Sequence, residues 1–102
     1  MEQMYSNSEL PSAIEQWQLS FDPYDFANNP AWLRHAEKCE DILQLTHKMG
    51  GLLIDVGYYG SDYRAVVIRD YNWQQPLAEL TSHDVSVITQ VVYQWLTQFA
   101  EA

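Results

Sequence analysis

Basic residues and cysteine are scarce in this sequence, and each shortage excludes a class of function. Lys and Arg number 5 against 14 Asp and Glu, which leaves a formal net charge of −9 at pH 7. Proteins that bind nucleic acid directly draw most of their affinity from Lys and Arg contacts to phosphate. We therefore expect no direct nucleic-acid partner. Cys39 is the only cysteine, so an intramolecular disulfide and a four-cysteine zinc site are both excluded.

Long apolar runs and catalytic motifs are also missing. No run is long enough to span a bilayer, and the first residues have neither the basic nor the apolar region of a signal peptide. We therefore expect a cytoplasmic protein that does not enter a membrane. The glycines fall at 50, 51, 57 and 60, which leaves no glycine-rich phosphate loop, and no G-x-S-x-G or H-E-x-x-H motif occurs. The sequence predicts a non-enzymatic protein without a metal or other cofactor.

Residues 80–99 contain the longest periodic segment, in a chain that is 47% apolar and of single-domain length. Apolar residues recur there at steps of three and four, which predicts an amphipathic helix with Thr81 as its N-cap. The apolar stripe consists of Val85, Ile88, Val91, Val92, Trp95, Leu96 and Phe99. The side predicted to face outward is uncharged and consists of Ser86, Thr89, Gln90, Tyr93, Gln94 and Gln98.

The N-terminal half predicts a tail, a strand and a first helix. Residues 1–12 are polar and aperiodic, so we expect a flexible tail followed by one domain over residues 13–102. Trp17, Leu19 and Phe21 alternate with polar residues, as in a half-buried strand. Asn29 and Pro30 resemble the start of a helix over residues 30–49.

The predicted first helix carries the one pair of residues with metal-ligand spacing. His35 and Cys39 are four residues apart, so both would lie on one side of the helix. Two ligands are too few for a metal site. Cys39 also falls within the apolar stripe of this helix, where a free cysteine acts as a small hydrophobe. We therefore expect no metal site here and a buried Cys39.

A β-hairpin is predicted over residues 52–71. Gly60 and Ser61 separate two runs of alternating residues, which is typical of a type II′ turn. In that register Tyr59 faces Asp62, and Asp55 lies diagonal to Arg64. The outer face would then be partly apolar, so we expect it to be covered. Residues 72–79 are interpreted as a crossing segment or a short edge strand.

These elements predict an α+β fold: a small mixed β-sheet with two α-helices packed on one face, in the order β-α-β-β-α, with room for a short extra edge strand. The first two strands would be joined by a helix. If adjacent, they would be parallel with a right-handed crossover.

Acidic and aromatic residues alternate at three loop positions. Tyr and Trp give large contact area at low entropic cost, and carboxylates beside them attract Lys and Arg. We interpret these residues as a partner-binding surface; the alternative is that the tyrosines finish a sheet edge and the acids mark turns. The candidate residues are Asp22, Tyr24, Asp25, Tyr58, Tyr59, Asp62, Tyr63, Asp70, Tyr71 and Trp73.

The function that these features predict is inhibition of a basic protein. The chain would neutralise a basic enzyme, such as a nuclease toxin or a defence protein, by electrostatic steering and occlusion of its active site. In general character this is similar to bacterial immunity proteins and phage counter-defence proteins, although no motif carries the likeness. The alternative is an acidic homodimeric adaptor or secretion chaperone that holds a client segment. Its contact surface would be the outer sheet face or the second helix.

Overall fold

The computed structural model describes residues 10–101, so the predicted tail lies outside the described residues as far as position 9. A short 3-10 helix, Ser12–Gln16, leads into the first strand. The strands are β1 (Trp17–Phe21), β2 (Leu43–His47), β3 (Leu52–Tyr59), β4 (Asp62–Arg69) and β5 (Ala78–Ser82), and the α-helix is α1 (Val85–Gln98).

The five strands form one antiparallel sheet in the order β1-β2-β3-β4-β5, so every strand pairs with its neighbour along the chain. The predicted mixed sheet with two helices on one face is therefore wrong. Within residues 10–101 there is one α-helix. The parallel crossover was expected only if β1 and β3 were adjacent, and they are not, because β2 lies between them and pairs antiparallel with both.

The helix predicted over residues 30–49 is replaced by a series of turns and by β2. The Asn29 side chain accepts a hydrogen bond from the backbone N–H of Ala31 at 3.1 Å, so the capping signal is real but serves only a local turn. Leu43 and Leu45 are 1% and 0% exposed, while Gln44 between them faces the other side of the sheet. This period of two, together with the pairing of residues 43–46 with β3, outweighs the helical spacing of the same segment.

The predicted hairpin is confirmed in its register, with Tyr59 opposite Asp62. Gly60 has a φ of +73°, and Ser61 does not have a positive φ, as a type II′ turn requires. The extra edge strand exists but is placed later than predicted, at Ala78–Ser82. It includes Thr81, so the predicted N-cap is wrong. The N-cap of α1 is Asp84, whose side chain accepts the Ser86 N–H at 2.9 Å.

The main core lies between one face of the sheet and α1. Residues 22–42, which connect β1 to β2, pack beside the helix. The Phe26 ring is 5.0 Å from that of Trp32 and 5.6 Å from that of Tyr93. Tyr93 and Thr89 on the helix are 6% and 9% exposed, so the predicted outward side of the helix is wrong at those two positions. No helix within residues 10–101 combines the length and apolarity needed to cross a membrane.

The opposite, outer face of the sheet carries a second, smaller apolar cluster. It consists of Leu53, Val66 and Ile68, which are 5%, 1% and 0% exposed. The expectation that this apolar patch is shielded from solvent is confirmed. The outer face also carries polar residues, among them Asp55 on β3 and Arg64 on β4.

Candidate protein-binding surface

The antiparallel register gathers distant segments at one end of the sheet, which we call the hairpin end. This end contains the Gly60–Ser61 turn and residues 22–42, because Phe21 pairs with Gln44 and Leu43 pairs with Val56. It also contains residues 82–84, because Ser82 pairs with Tyr63. The predicted site residues brought together here are Asp22, Tyr24, Asp25, Tyr58, Tyr59, Asp62 and Tyr63.

Three of these residues hold the loop that follows β1. The Asp22 carboxylate accepts the Phe26 N–H at 2.8 Å. Asp25 has a φ of +56°, and its carboxylate accepts the side-chain N–H of Asn28 at 3.0 Å. The Tyr24 hydroxyl accepts the backbone N–H of Glu37 at 3.1 Å. These polar groups shape the connection, so a role in partner binding would be secondary for them.

The hairpin tip divides its residues between the two faces. Tyr63 is only 5% exposed, and its ring packs edge-on against Tyr58 at 4.9 Å. The Lys38 ammonium lies 5.5 Å from the centre of the Tyr58 ring. Asp62 has the His83 imidazole 3.9 Å from its carboxylate. Tyr59, which is 42% exposed, is therefore the tyrosine of the tip most open to a partner.

Asp70, Tyr71 and Trp73 lie at the opposite end of the sheet, so the predicted site residues do not form one surface. Asp70 and Tyr71 have φ values of +54° and +60°, and the Asn72 N–H donates to the Arg69 carbonyl at 3.0 Å. This is a type I′ turn built without glycine. Tyr71 is 74% exposed and Trp73 45% exposed.

A cavity of about 320 Å³ lies on the outer face near the hairpin end; we call it the outer cavity. It crosses the row in which Phe21 pairs with Gln44 and Gln44 pairs with Asp55. The Ser20 hydroxyl donates to the Gln44 carbonyl at 3.0 Å beside it. Its lining residues are Ser20, Phe21, Asp41, Leu43, Gln44 and Asp55.

Glu40 and Asp41 reach this face because the chain bulges over Gly57. The Tyr58 N–H donates to the Cys39 carbonyl at 2.9 Å, and the Ile42 N–H donates to the Val56 carbonyl at 3.0 Å. Residues 40–41 arch between these two bonds, and a methyl group at Gly57 would overlap the Glu40 carbonyl oxygen. Both acids fall within the helix predicted over residues 30–49, and that helix is wrong here because residues 30–41 form turns.

Two acids, Asp41 and Asp55, line the outer cavity. The pKa of Asp55 is raised from 3.8 to about 6, chiefly by burial and also by the Asp41 carboxylate, while the hydrogen bond from Gln44 and the charge of Arg64 lower it. Within residues 10–101, neither Asp41 nor Asp55 has a basic side chain within 4.0 Å. Burial also raises the pKa of Tyr59, and the charge of Asp55 adds to this effect.

Arg64 is diagonal to Asp55, as predicted, but its ion pair is with a different carboxylate. Its Nε lies 2.6 Å from the Glu79 Oε2 on β5. The pair is exposed, and its net contribution to stability is small. Arg64, the cation nearest to Asp55 in the sheet, is therefore already paired with Glu79.

The two residues with metal-ligand spacing, His35 and Cys39, are not placed as predicted. Among residues 10–101, no three His, Cys, Asp or Glu side chains are grouped as metal ligands require. Cys39 was predicted to be buried, and this is wrong: it is exposed, and its thiol donates to the Asp41 carbonyl at 3.3 Å. The helical spacing of His35 and Cys39 does not exist, because residues 30–41 form turns.

The partial burial of one of the two cavity acids could have been predicted from the sequence. Asp55 occupies an outward position of a predicted strand, among otherwise apolar residues, and such a position predicts a partly buried carboxylate. Asp41 carries no such signal, because its place depends on the contact between the backbone of Glu40 and Gly57.

No protein-family model matches this chain, and neither a curated protein nor a solved structure shows significant similarity to it.

Proposed function

We propose that the chain is a non-enzymatic, cytoplasmic protein that binds a basic partner and inhibits it by covering the partner's functional site. The supporting observation is that acids from separate segments converge on the hairpin end and the outer face. The connection contributes Glu37, Glu40 and Asp41, and β3 contributes Asp55. The partner would be a basic enzyme, such as a nuclease toxin or a defence protein.

Electrostatics give this surface a mechanism for binding. A surface of one sign steers an oppositely charged partner and raises the rate of association. Asp41 and Asp55 line a cavity, so a Lys or Arg that enters it would meet the partly desolvated carboxylate of Asp55 beside the exposed carboxylate of Asp41. In an enzyme that binds nucleic acid, these carboxylates would contact the basic residues that otherwise hold phosphate.

The alternative of a homodimeric adaptor has less support. Its client or dimer contact was to be the apolar outer face or the uncharged side of the second helix. Leu53, Val66 and Ile68 on the outer face are 5% exposed or less. Thr89 and Tyr93 on the helix are also buried. The acidic surface therefore offers the more accessible contact.

Two triple variants of equal charge test the proposal. Glu37→Gln/Glu40→Gln/Asp41→Asn neutralises the hairpin end, and Glu15→Gln/Asp70→Asn/Glu101→Gln neutralises acids elsewhere on the surface. Each would be compared with the wild type for retention of basic proteins from a lysate of the source cells, at low and at high salt. A retained enzyme would then be purified and assayed with and without the chain.

We expect the hairpin-end variant to lose binding and inhibition while the control variant keeps both, and high salt to weaken the wild-type complex. Equal losses in the two variants would mean that only net charge matters, without a defined surface. Retention by both variants would reject the acidic surface.

A further inference from the structure

β1 is an edge strand that lacks the charge and the proline by which many edge strands are protected. Within residues 10–101 it has a neighbouring strand on one side only. It carries no charged residue and no proline, and Leu19 and Phe21 are 38% and 42% exposed. In natural proteins, charge, proline or covering segments usually prevent an edge strand from pairing with another chain. The other edge of this sheet is protected in that way, since β5 carries Glu79 and follows Pro76.

The backbone of Leu19 is directed toward this open edge. The Lys48 N–H donates to the Gln16 carbonyl at 2.9 Å, so residues 16 and 48 form a hydrogen-bonded pair. Because such pairs alternate along an antiparallel ladder, Gln18 and Thr46 form the next one. The N–H and C=O of Leu19 therefore point away from β2. A bulge follows, because the register shifts between Leu19 and Phe21.

We propose that the free edge of β1 binds an extended segment of a basic partner as an additional strand. This inference rests on the proposed function and specifies how the partner is held. Main-chain hydrogen bonds to the Leu19 backbone would supply affinity, as in other cases of strand addition. The outer cavity borders β1 at Ser20 and Phe21, so its carboxylates, Asp41 and Asp55, attract Lys or Arg of the added segment.

Charge favours a basic segment over a second copy of this chain. Glu15 precedes β1 and Asp22 follows it. In an antiparallel pair of two β1 strands, Glu15 of one copy would approach Asp22 of the other, and like charges across a strand pair are destabilising. Each copy also carries a net charge of −9. A basic segment would not meet this repulsion.

The experiment uses a synthetic peptide of alternating Lys and Val as the probe, and the same peptide with Glu in place of Lys as its control. Affinity would be measured by fluorescence anisotropy, and hydrogen exchange of the Leu19 amide by NMR. We expect the Lys peptide to bind and to slow exchange at Leu19. The Glu peptide should not bind.

Substitutions at Leu19 separate backbone pairing from side-chain contact. Leu19→Pro removes the outward N–H without removing a bond to β2, and edge strands tolerate proline. It should weaken peptide binding about fivefold or more, whereas Leu19→Ala should have a smaller effect. Leu19→Lys keeps the backbone donor but repels the peptide, and should also weaken binding. It provides a second test if Leu19→Pro does not fold.

Three results would overturn the proposal. In the first, the Lys peptide binds without slowing the Leu19 amide, and binding survives Leu19→Pro or Leu19→Lys. In the second, the peptide does not bind although a basic partner binds through Glu37, Glu40 and Asp41; the proposed function then stands without strand addition. In the third, the free protein dimerises and a Leu19 variant is monomeric, which would identify a second copy as the occupant.

Discussion

The imidazole Nε2 of His47 lies 2.6 Å from the carbonyl oxygen of Ala100, and this contact joins β2 to the residues that follow α1. The Met49 N–H donates to the other ring nitrogen, Nδ1, at 3.0 Å. Nδ1 is therefore the acceptor, and the proton resides on Nε2, which donates to Ala100. Trp17 reinforces the junction, because its indole N–H donates to the Leu96 carbonyl at 3.1 Å.

Replacement of His47 should loosen the end of the helix. His47 is 3% exposed, so His47→Ala leaves a small cavity and two backbone groups without their partner. We expect a loss of about 2–4 kcal/mol in the free energy of unfolding, measured by urea denaturation. Amide exchange should also become faster in the last turn of α1. His83→Ala is the matched control, since 88% of that side chain is exposed, and it should change stability little. Equal effects in the two variants would contradict the assigned role of His47.

Gly57 should be intolerant of any side chain. Its added methyl group would overlap the Glu40 carbonyl oxygen, which belongs to the backbone and cannot rotate away. Gly57→Ala should therefore cost about 1–3 kcal/mol and displace residues 40–41 from the outer face. The comparison is Gly60→Ala, where a methyl group meets nothing within 4 Å and the cost comes only from the φ of +73°. If Gly57→Ala leaves both stability and the chemical shifts of residues 40–41 unchanged, the bulge described here is wrong.

Asp55 should destabilise the protein at neutral pH. Its pKa is raised from 3.8 to about 6 on folding, so between these values the folded chain binds more protons than the unfolded chain. This extra proton binding stabilises the folded chain at low pH, and its contribution to the free energy of unfolding is lost as pH rises from about 4 to about 6. Asp55→Asn keeps the oxygen that accepts from Gln44 and removes the charge. It should stabilise the protein by about 1–2 kcal/mol at pH 8, after allowance for solvent screening, and little at pH 4. A gain of the same size at both pH values would show that charge is not the cause.

The hairpin was predictable because its signals are local. The alternation around Gly60 and Ser61 fixes both the turn and the pairing of Tyr59 with Asp62. The segment that became β2 was not predictable in this way. Helical spacing and an N-terminal capping signal compete there with a short alternating run, and the outcome depends on pairing with β3. Local sequence patterns do not show whether a segment will pair with another strand.

The candidate site residues also differ in whether a local pattern or the pairing of distant segments determines their place. Tyr59 and Asp62 were assigned from the hairpin, and the register places them at its tip. Tyr63 was assigned from the same local pattern, but the alternation of side chains along β4 places it on the face of the sheet that forms the core. The outer cavity was missed, because Asp41 reaches it only through the backbone hydrogen bonds from Tyr58 to Cys39 and from Ile42 to Val56. Sequence reasoning therefore located acidic and aromatic residues without locating the surface that unites them.

The order of strands in the sheet also bears on how the chain folds. Each strand pairs with its neighbour in the sequence, so the sheet can grow outward from the β3–β4 turn. The entropy of closing a loop rises with its length, and the longest connection, residues 22–42, joins β1 to β2. We therefore expect β1 to be added after β2, β3 and β4 have paired, although it precedes them in the chain. Until then the nascent sheet would expose β2 as its edge, and this is the interval in which intermolecular pairing would compete with correct folding.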